Sequence, residues 1–105
     1  MSYLDKLKLI TAWETEPALS EDELETVLAA AAVEDGEGLD PLKEEWSPTY
    51  DLNAAASAAW LLKAARAAAT VDEPTAGVVT SKVFDNCRAM ARIYAAKRSS
   101  SVGIT

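Results

Sequence analysis

The chain has 105 residues, half of them hydrophobic, and a formal net charge of −7. It contains no histidine and a single cysteine, Cys87, which excludes histidine-dependent nucleophilic catalysis, most zinc sites and a disulfide framework. Twenty-one residues are alanine, so the expected core is modest and depends on few large side chains. We place one domain at residues 1–98 and a flexible tail at 99–105.

The charge is divided unevenly along the chain. Residues 1–51 carry 14 acidic and 3 basic side chains, whereas residues 52–105 carry 7 basic and 3 acidic ones. A chain of this kind presents its two ends to different partners, or stacks head to tail with copies of itself. The alternative is that both halves are simply solvated.

The first predicted helix covers residues 3–13. Its apolar residues recur every three positions, as Leu4, Leu7 and Ile10 show. Pro17 disfavours helical backbone in the residue before it, so the helix is expected to end ahead of this proline.

The second predicted helix has the clearest start signal in the chain. In the segment "SEDE", Ser20 takes the N-cap and Glu23 follows three residues later, which is a capping box. We expect this helix to end near Glu34, before Gly36.

A long connection is predicted at residues 34–50, because this stretch contains two glycines and two prolines. One short turn is expected after Pro41, and Trp46 and Tyr50 are expected to pin the loop to the body. The acidic residues do not follow the calcium-loop pattern, since Leu39 and Pro41 fall among the would-be ligands. We therefore expect no metal site here.

The third predicted helix covers residues 52–71, with Asp51 as its N-cap. Its alanine-rich sequence is apolar nearly all round, and such helices are covered on more than one side. We expect its central Trp60 to be a core residue. The polar positions of this helix are Asn53, Ser57, Lys63, Arg66 and Thr70.

The last predicted helix begins at Thr80 or Ser81 and runs to about Arg98, after a loop in which Val78 and Val79 are extended. Its apolar face consists of Val83, Phe84, Cys87, Met90, Ala91 and Tyr94. This spacing indicates a buried structural thiol rather than a reactive one. The predicted fold class is all-α, a small bundle of about four helices.

Enzymatic and nucleic-acid functions are both disfavoured. The chain has no glycine-rich phosphate loop, and Glu44 and Glu45 are adjacent, which does not make an acid–base pair. We expect no catalytic activity and no cofactor. Basic residues in the last helix suggest nucleic acid, but a chain that is acidic overall favours a salt-bridged solvent face. These basic residues are Arg88, Arg92, Lys97 and Arg98.

Two segments resemble a known family, "WSPTYDLNAAASAAWLLKAARAA" at 46–68 and "SKVFDNCRAMARIYAAKR" at 81–98. The acidic "ALSEDELETVL" at 18–28 also fits. They are similar to the small helical head–tail connector (adaptor) proteins of tailed bacteriophages and related gene transfer agents. The residues that carry the pattern are Trp46, Tyr50, Asp51, Trp60, Lys63, Arg66, Ser81, Val83 and Phe84.

The resemblance implies a structural virion protein of the neck, between capsid and tail, assembled in the host cytoplasm. It implies a ring of about twelve copies under the portal protein, which lengthens the DNA channel and offers a platform to the head-closure or tail-terminator protein. DNA would pass through without sequence-specific binding, and no membrane or cofactor is implied.

Three groups of residues are the candidate sites under this hypothesis. Portal binding is assigned to the C-terminal residues Arg98, Ser99, Ser100, Ser101, Val102, Gly103, Ile104 and Thr105. Core or subunit packing is assigned to the large side chains and Cys87, that is Trp13, Trp46, Tyr50, Trp60, Phe84, Cys87, Met90 and Tyr94. The acidic channel lining is assigned to Glu34, Asp35, Glu37 and Asp40.

One hypothesis from another class stays open. An acidic helical protein also suits a regulatory binding module, a DNA mimic or antitoxin-like chain that occupies a basic partner. Such a module would bind its partner stoichiometrically as a monomer or dimer and would not form a large ring. A small enzyme is a third class, which the missing histidine and glycine-rich loops disfavour.

Overall fold

Four helices make up the computed structural model, which describes residues 2–69 and 77–98 and, over 77–81, the backbone alone. The helices are α1 (Tyr3–Thr11), α2 (Glu21–Ala30), α3 (Leu52–Ala69) and α4 (Gly77–Lys97). The described residues contain no strand, only an isolated antiparallel bridge between Ala32 and Tyr50. The predicted all-α bundle is confirmed.

The alanine-rich helix α3 is the centre of the bundle, since it packs against each of the other three helices and most extensively against α4. One buried cluster joins it to α1 and α2, and a second joins it to α4. Tyr94 of α4 packs against both clusters. Small side chains on α3 allow this close approach on several sides at once.

Helix α2 begins as the capping box predicts. Ser20 Oγ accepts a hydrogen bond from the Glu23 amide at 3.1 Å, and Glu23 Oε1 accepts one from the Ser20 amide at 2.8 Å. The predicted end near Glu34 is wrong, because α2 ends at Ala30. The residues that follow leave the helix to pair with the backbone before α3, where the Asp51 amide donates to the Ala31 carbonyl at 2.9 Å.

Helix α1 ends at Thr11, two residues before the predicted position. Ala12 adopts the left-handed conformation, with φ 46°, and this turns the chain out of the helix. Helix α3 begins as predicted, because Asp51 Oδ1 accepts a hydrogen bond from the Ala54 amide at 3.1 Å. The predicted last residues of α3, Thr70 and Val71, lie outside the described residues.

Helix α4 begins at Gly77, so the predicted start at Thr80 or Ser81 is wrong. The extended backbone predicted for Val78 and Val79 is wrong as well, since both lie in the first turn of α4. Their β-branched side chains favour strands, but helical hydrogen bonding satisfies the backbone without a partner strand. Residues 70–76, which include most of the loop predicted before α4, lie outside the described residues.

Replacement of Leu24 by alanine should lower the free energy of unfolding by about 2–5 kcal/mol, because this side chain is fully buried between α1, α2 and α3. Urea unfolding followed by circular dichroism measures the change. The control is Leu9→Ala, whose side chain is 68% exposed and which should stay within about 0.5 kcal/mol of the parent. Equal losses in the two variants would contradict the assigned core.

Candidate functional site

Three side chains of α3 form a row of hydrogen-bond donors, which we call the donor row: Trp60, Lys63 and Arg66. Their spacing of three residues puts them on neighbouring turns of one helix face. Trp60 Nε1 donates to the Ile10 carbonyl at 3.2 Å. The other two side chains donate farther along the chain, so the row follows the backbone over residues 10–18.

Lys63 is a buried cation, with 1% of its surface exposed. Its Nζ donates to the carbonyls of Ala12 at 2.6 Å and Thr15 at 3.0 Å, and lies 4.9 Å from the centroid of the Trp60 ring. Burial lowers the pKa of Lys63, since desolvation disfavours the charged form. The sequence marked a polar position here but gave no sign that the ammonium group is enclosed.

Arg66 joins α3 to the start of α2. Its Nη1 donates to the Ala18 carbonyl at 2.6 Å, and its Nη2 pairs with the carboxylate of Glu23. The Arg66 guanidinium, with the amide of Ser20, lowers the pKa of Glu23 to about 2. Glu23 therefore serves the capping box through one oxygen and the ion pair through the other.

The remaining polar side chains of α3 in the described residues bind the backbone of α4. Asn53 Nδ2 donates to the Lys97 carbonyl at 3.2 Å, and Ser57 Oγ donates to the Ala91 carbonyl at 2.8 Å. Together with the donor row, these bonds turn every described polar side chain of α3 toward another segment of the chain. The polar groups of this helix thus serve contacts within the chain, with Lys63 buried and Arg66 exposed.

The opposite side of α3 is apolar and faces solvent. It consists of Ala58, Leu61, Ala65 and Ala68, which share one side at helical spacing, and we call it the outer face of α3. Leu61 is 52% exposed, Ala65 and Ala68 are exposed, and Ala58 is half-buried. The outward side of a surface helix is normally polar. In α3 this side is apolar, although its buried residues are mostly apolar too.

Two exposed arginines of α4, Arg88 and Arg92, lie on the side of that helix that is turned away from Tyr94. Tyr94 packs against the cluster of α1 and α2, which fixes the side of α4 turned toward them. Arg92 lies about 200° around the helix from Tyr94 at 100° per residue, and Arg88 is one turn away. Both are exposed, and the Arg88 guanidinium lies 5.7 Å from the centroid of the Phe84 ring. We call this pair the basic edge.

The large side chains predicted for core or subunit packing fall into two places. Trp60 and Cys87 are buried in the cluster between α3 and α4, with Phe84, Met90 and Tyr94 partly buried against it. Burial raises the pKa of the Cys87 thiol. Trp13 packs against the cluster of α1, α2 and α3.

Trp46 and Tyr50 fasten the long loop to the body. The Trp46 Nε1 donates to the Val33 carbonyl at 2.9 Å, across the two ends of the loop. The Tyr50 ring makes edge-on contacts with Trp46 and with Tyr3 of α1, at centroid distances of 5.8 and 5.1 Å. This agrees with the role expected for the two residues in the loop.

The four acids predicted to line a channel do not share one environment. Asp35 is 8% exposed, and its carboxylate accepts hydrogen bonds from the amides of Glu37, Leu39 and Ser47 at 2.9–3.0 Å. These bonds lower the pKa of Asp35. Asp35 is thus a buried organiser of the loop and is not free to face a channel, whereas Glu34, Glu37 and Asp40 are exposed.

The segment 34–45, which we call the acidic loop, ends in an ordered turn that displays a leucine. Asp40 Oδ1 accepts a hydrogen bond from the Leu42 amide at 2.8 Å, and the Asp40 carbonyl accepts one from the Lys43 amide at 2.9 Å. The Leu42 side chain is 93% exposed. The predicted turn after Pro41 is present.

The predicted portal-binding residues lie mostly beyond the described chain. Arg98 is exposed and directly follows α4, and residues 99–105 lie outside the described residues. Their assignment stays a prediction.

Acid should weaken the bundle partly through Glu23. Its pKa is about 2 in the fold against 4.5 for the free side chain, so its contribution is full above pH 4.5 and is lost as the pH falls toward 2. Glu23→Gln keeps the capping acceptor but has no charge, so urea midpoints of this variant should fall less over that range than those of the parent. Glu25→Gln, at an exposed acid of the same helix, should follow the parent. A parallel decline of the parent and Glu23→Gln would refute this.

Asp35→Asn should loosen the acidic loop without unfolding the helices. An amide side chain offers one acceptor oxygen in place of two, so the amides of Glu37 and Leu39 or that of Ser47 lose their partner. Hydrogen exchange at these amides should accelerate, while exchange in α3 stays slow. Asp40→Asn is the control, since its effect should be confined to the turn at Leu42. Unchanged exchange in Asp35→Asn would show that the buried carboxylate does not organise the loop.

In the described residues, no three or more histidine, cysteine, aspartate or glutamate side chains are grouped to hold a metal ion. No helix in the part of the chain that the structure describes has the length and apolar character needed to cross a membrane. Comparison of the chain with protein-family models, with curated proteins and with solved structures gives no match. The surfaces described above are therefore the basis for inferring a function.

Proposed function

We propose that this chain is a structural subunit of the neck of a tailed bacteriophage or related particle, a head–tail connector that assembles with copies of itself. It forms a ring under the portal protein, extends the DNA channel and carries the head-closure or tail proteins. The ring has about twelve members by analogy with the family that the sequence resembles. No catalytic step is part of this role.

The observation that carries the proposal is the orientation of α3. Its polar side chains bind other segments of the chain, and its outer face exposes Leu61 between alanines. Contiguous apolar surface on a small chain marks a place where another molecule docks. A ring offers each subunit a neighbour that covers this surface.

A second support comes from the contacts that the residues carrying the family resemblance make within the bundle. Tyr50 and Asp51 fix the start of α3, and Trp46 closes the loop that precedes it. Lys63 and Arg66 hold the segment between α1 and α2. The pattern quoted from the sequence therefore corresponds to the contacts that build this bundle, as a shared fold would require.

Charge gives a third support. Glu34, Glu37 and Asp40 are exposed on one loop, and a ring repeats that loop once in every subunit. A circle of carboxylates repels the phosphates of DNA, so a duplex passes through without sticking. The channel lining in this proposal consists of these three acids, without Asp35.

The same carboxylates support a second candidate function. Exposed acids spaced along a loop resemble the phosphates of a nucleic acid, and a regulatory module would use them to occupy a basic partner. The predicted complex has a fixed small stoichiometry and no ring. The apolar outer face of α3 has no role in this alternative, and for that reason we rank it second.

Negative-stain electron microscopy of the protein mixed with DNA-filled, tailless heads of its own phage distinguishes the two functions. A ring of added density at the portal vertex is the expected result. Heads without a portal are the control and should remain bare. A bare vertex on portal-containing heads, with the chain bound instead one-to-one to a basic host protein, would overturn the connector role in favour of the regulatory one.

A further inference from the structure

We propose that copies of this chain associate head to tail, with Leu42 of one copy seated on the outer face of α3 in the next. The carboxylates beside Leu42 then lie against the basic edge of that neighbour. The occupant of the outer face is thus a second copy of this chain, and the part that docks is the acidic loop. This inference deepens the proposed function and rests on its self-assembly step.

The exposed side chain of Leu42, which we call the knob, is carried by a hydrogen-bonded turn. The Leu42 amide donates to Asp40 Oδ1, the amide of the next residue, Lys43, donates to the Asp40 carbonyl, and the loop behind it is closed by Asp35 and Trp46. An isolated exposed leucine is ordinary on a protein surface. A leucine that is 93% exposed on a turn held by hydrogen bonds to Asp40 costs little further backbone entropy when it docks.

The outer face of α3 suits such a knob. Leu61 stands between alanines one turn before and after it, which leaves shallow steps on either side of one larger side chain. No polar group lies among these four residues, so an incoming leucine leaves no donor or acceptor without a partner. Docking would remove the exposed part of both leucines from water.

Charges on the two surfaces are complementary. Next to Leu42 the acidic loop exposes Glu44 and Glu45, with one lysine, Lys43, while the acids assigned to the channel take no part in this contact. Among the exposed charged side chains of α4 that the structure describes, four are basic and one is acidic, namely Lys82, Arg88, Arg92, Lys97 and Asp85, and the exposed Arg98 follows directly after the helix. Opposite potentials of this kind steer two copies into one register and disfavour loop-to-loop contact.

The two surfaces lie on different parts of one chain, so the contact is heterologous. The base of the acidic loop is tied beside Asp51 at the start of α3, while Leu61 lies about 15 Å farther along that helix at 1.5 Å per residue. Each copy that docks its loop still offers a free outer face to the next copy. Such contacts close into a ring when the rotation per subunit is suitable.

Sedimentation equilibrium of the full chain at low salt tests this contact. The parent should self-associate, and Leu42→Asp and Leu61→Asp should each weaken association about tenfold or more. Leu9→Asp is the matched control, because Leu9 is 68% exposed on α1, beside an open depression that Trp13 also lines. This variant should associate like the parent.

A mixture of the two disabled variants gives the sharpest readout. Leu42→Asp keeps an intact outer face and Leu61→Asp keeps an intact knob, so together they should form a one-to-one heterodimer that grows no further. A second readout is charge exchange: Arg88→Glu with Arg92→Glu should weaken association, and a mixture with Glu44→Arg, Glu45→Arg chains should restore pairing. Circular dichroism confirms that each variant is folded.

Three results would overturn the inference: a parent that stays monomeric at all concentrations, assembly lost in Leu9→Asp but kept in Leu42→Asp, or no heterodimer in the mixture. Binding of the parent to heads is scored separately. Rings on portal vertices with an unaffected Leu42→Asp would reject this contact and keep the connector role. Head-to-tail association with bare vertices would keep the contact and reject the connector role.

Discussion

The position of α1 and α2 depends on one set of hydrogen bonds, between carbonyl groups at and after the end of α1 and side-chain donors of α3. Where α1 ends, the last carbonyls of the helix and those of the following turn lack intrahelical amides. The donor row supplies them, with Trp60 bonded to Ile10, Lys63 to Ala12 and Thr15, and Arg66 to Ala18. Because these bonds cross from α3 to the N-terminal segment, they add directional contacts to the hydrophobic packing that holds α1 and α2 on the central helix.

That arrangement has a direct effect on the outside of the molecule. The polar side chains of α3 lie on two sides of the helix. One side meets α4 and the other meets α1, α2 and the segment between them. What remains for the outer face is alanine and Leu61. The same residues that specify the bundle therefore leave an apolar surface on its outside, so the packing of the core and the character of this surface both follow from one sequence pattern.

Sequence reasoning succeeded where the signal is local and failed where it depends on distant contacts. The capping box at Ser20, the cap at Asp51 and the helical character of all four segments follow from neighbouring residues. The burial of Lys63 does not follow from neighbouring residues. Its partners are backbone carbonyls some fifty positions away, and because every residue has a carbonyl, the sequence does not distinguish these two. The sequence also does not separate Asp35 from the exposed acids of the loop. The three donors to its carboxylate are backbone amides, which every residue other than proline has. The early end of α2 reflects pairing with residues 49–51, which no local pattern announces.

The bridge between Ala32 and Tyr50 sets the acidic loop apart from the two hydrophobic clusters. It closes residues 33–49 at their base, and the Trp46 ring of this segment contacts Tyr50, whose ring in turn contacts Tyr3 of α1. Insertions and substitutions between Gly36 and Glu45 leave the hydrophobic clusters untouched. We therefore expect changes in this segment to alter the exposed charge of the acidic loop while the helical scaffold keeps its packing.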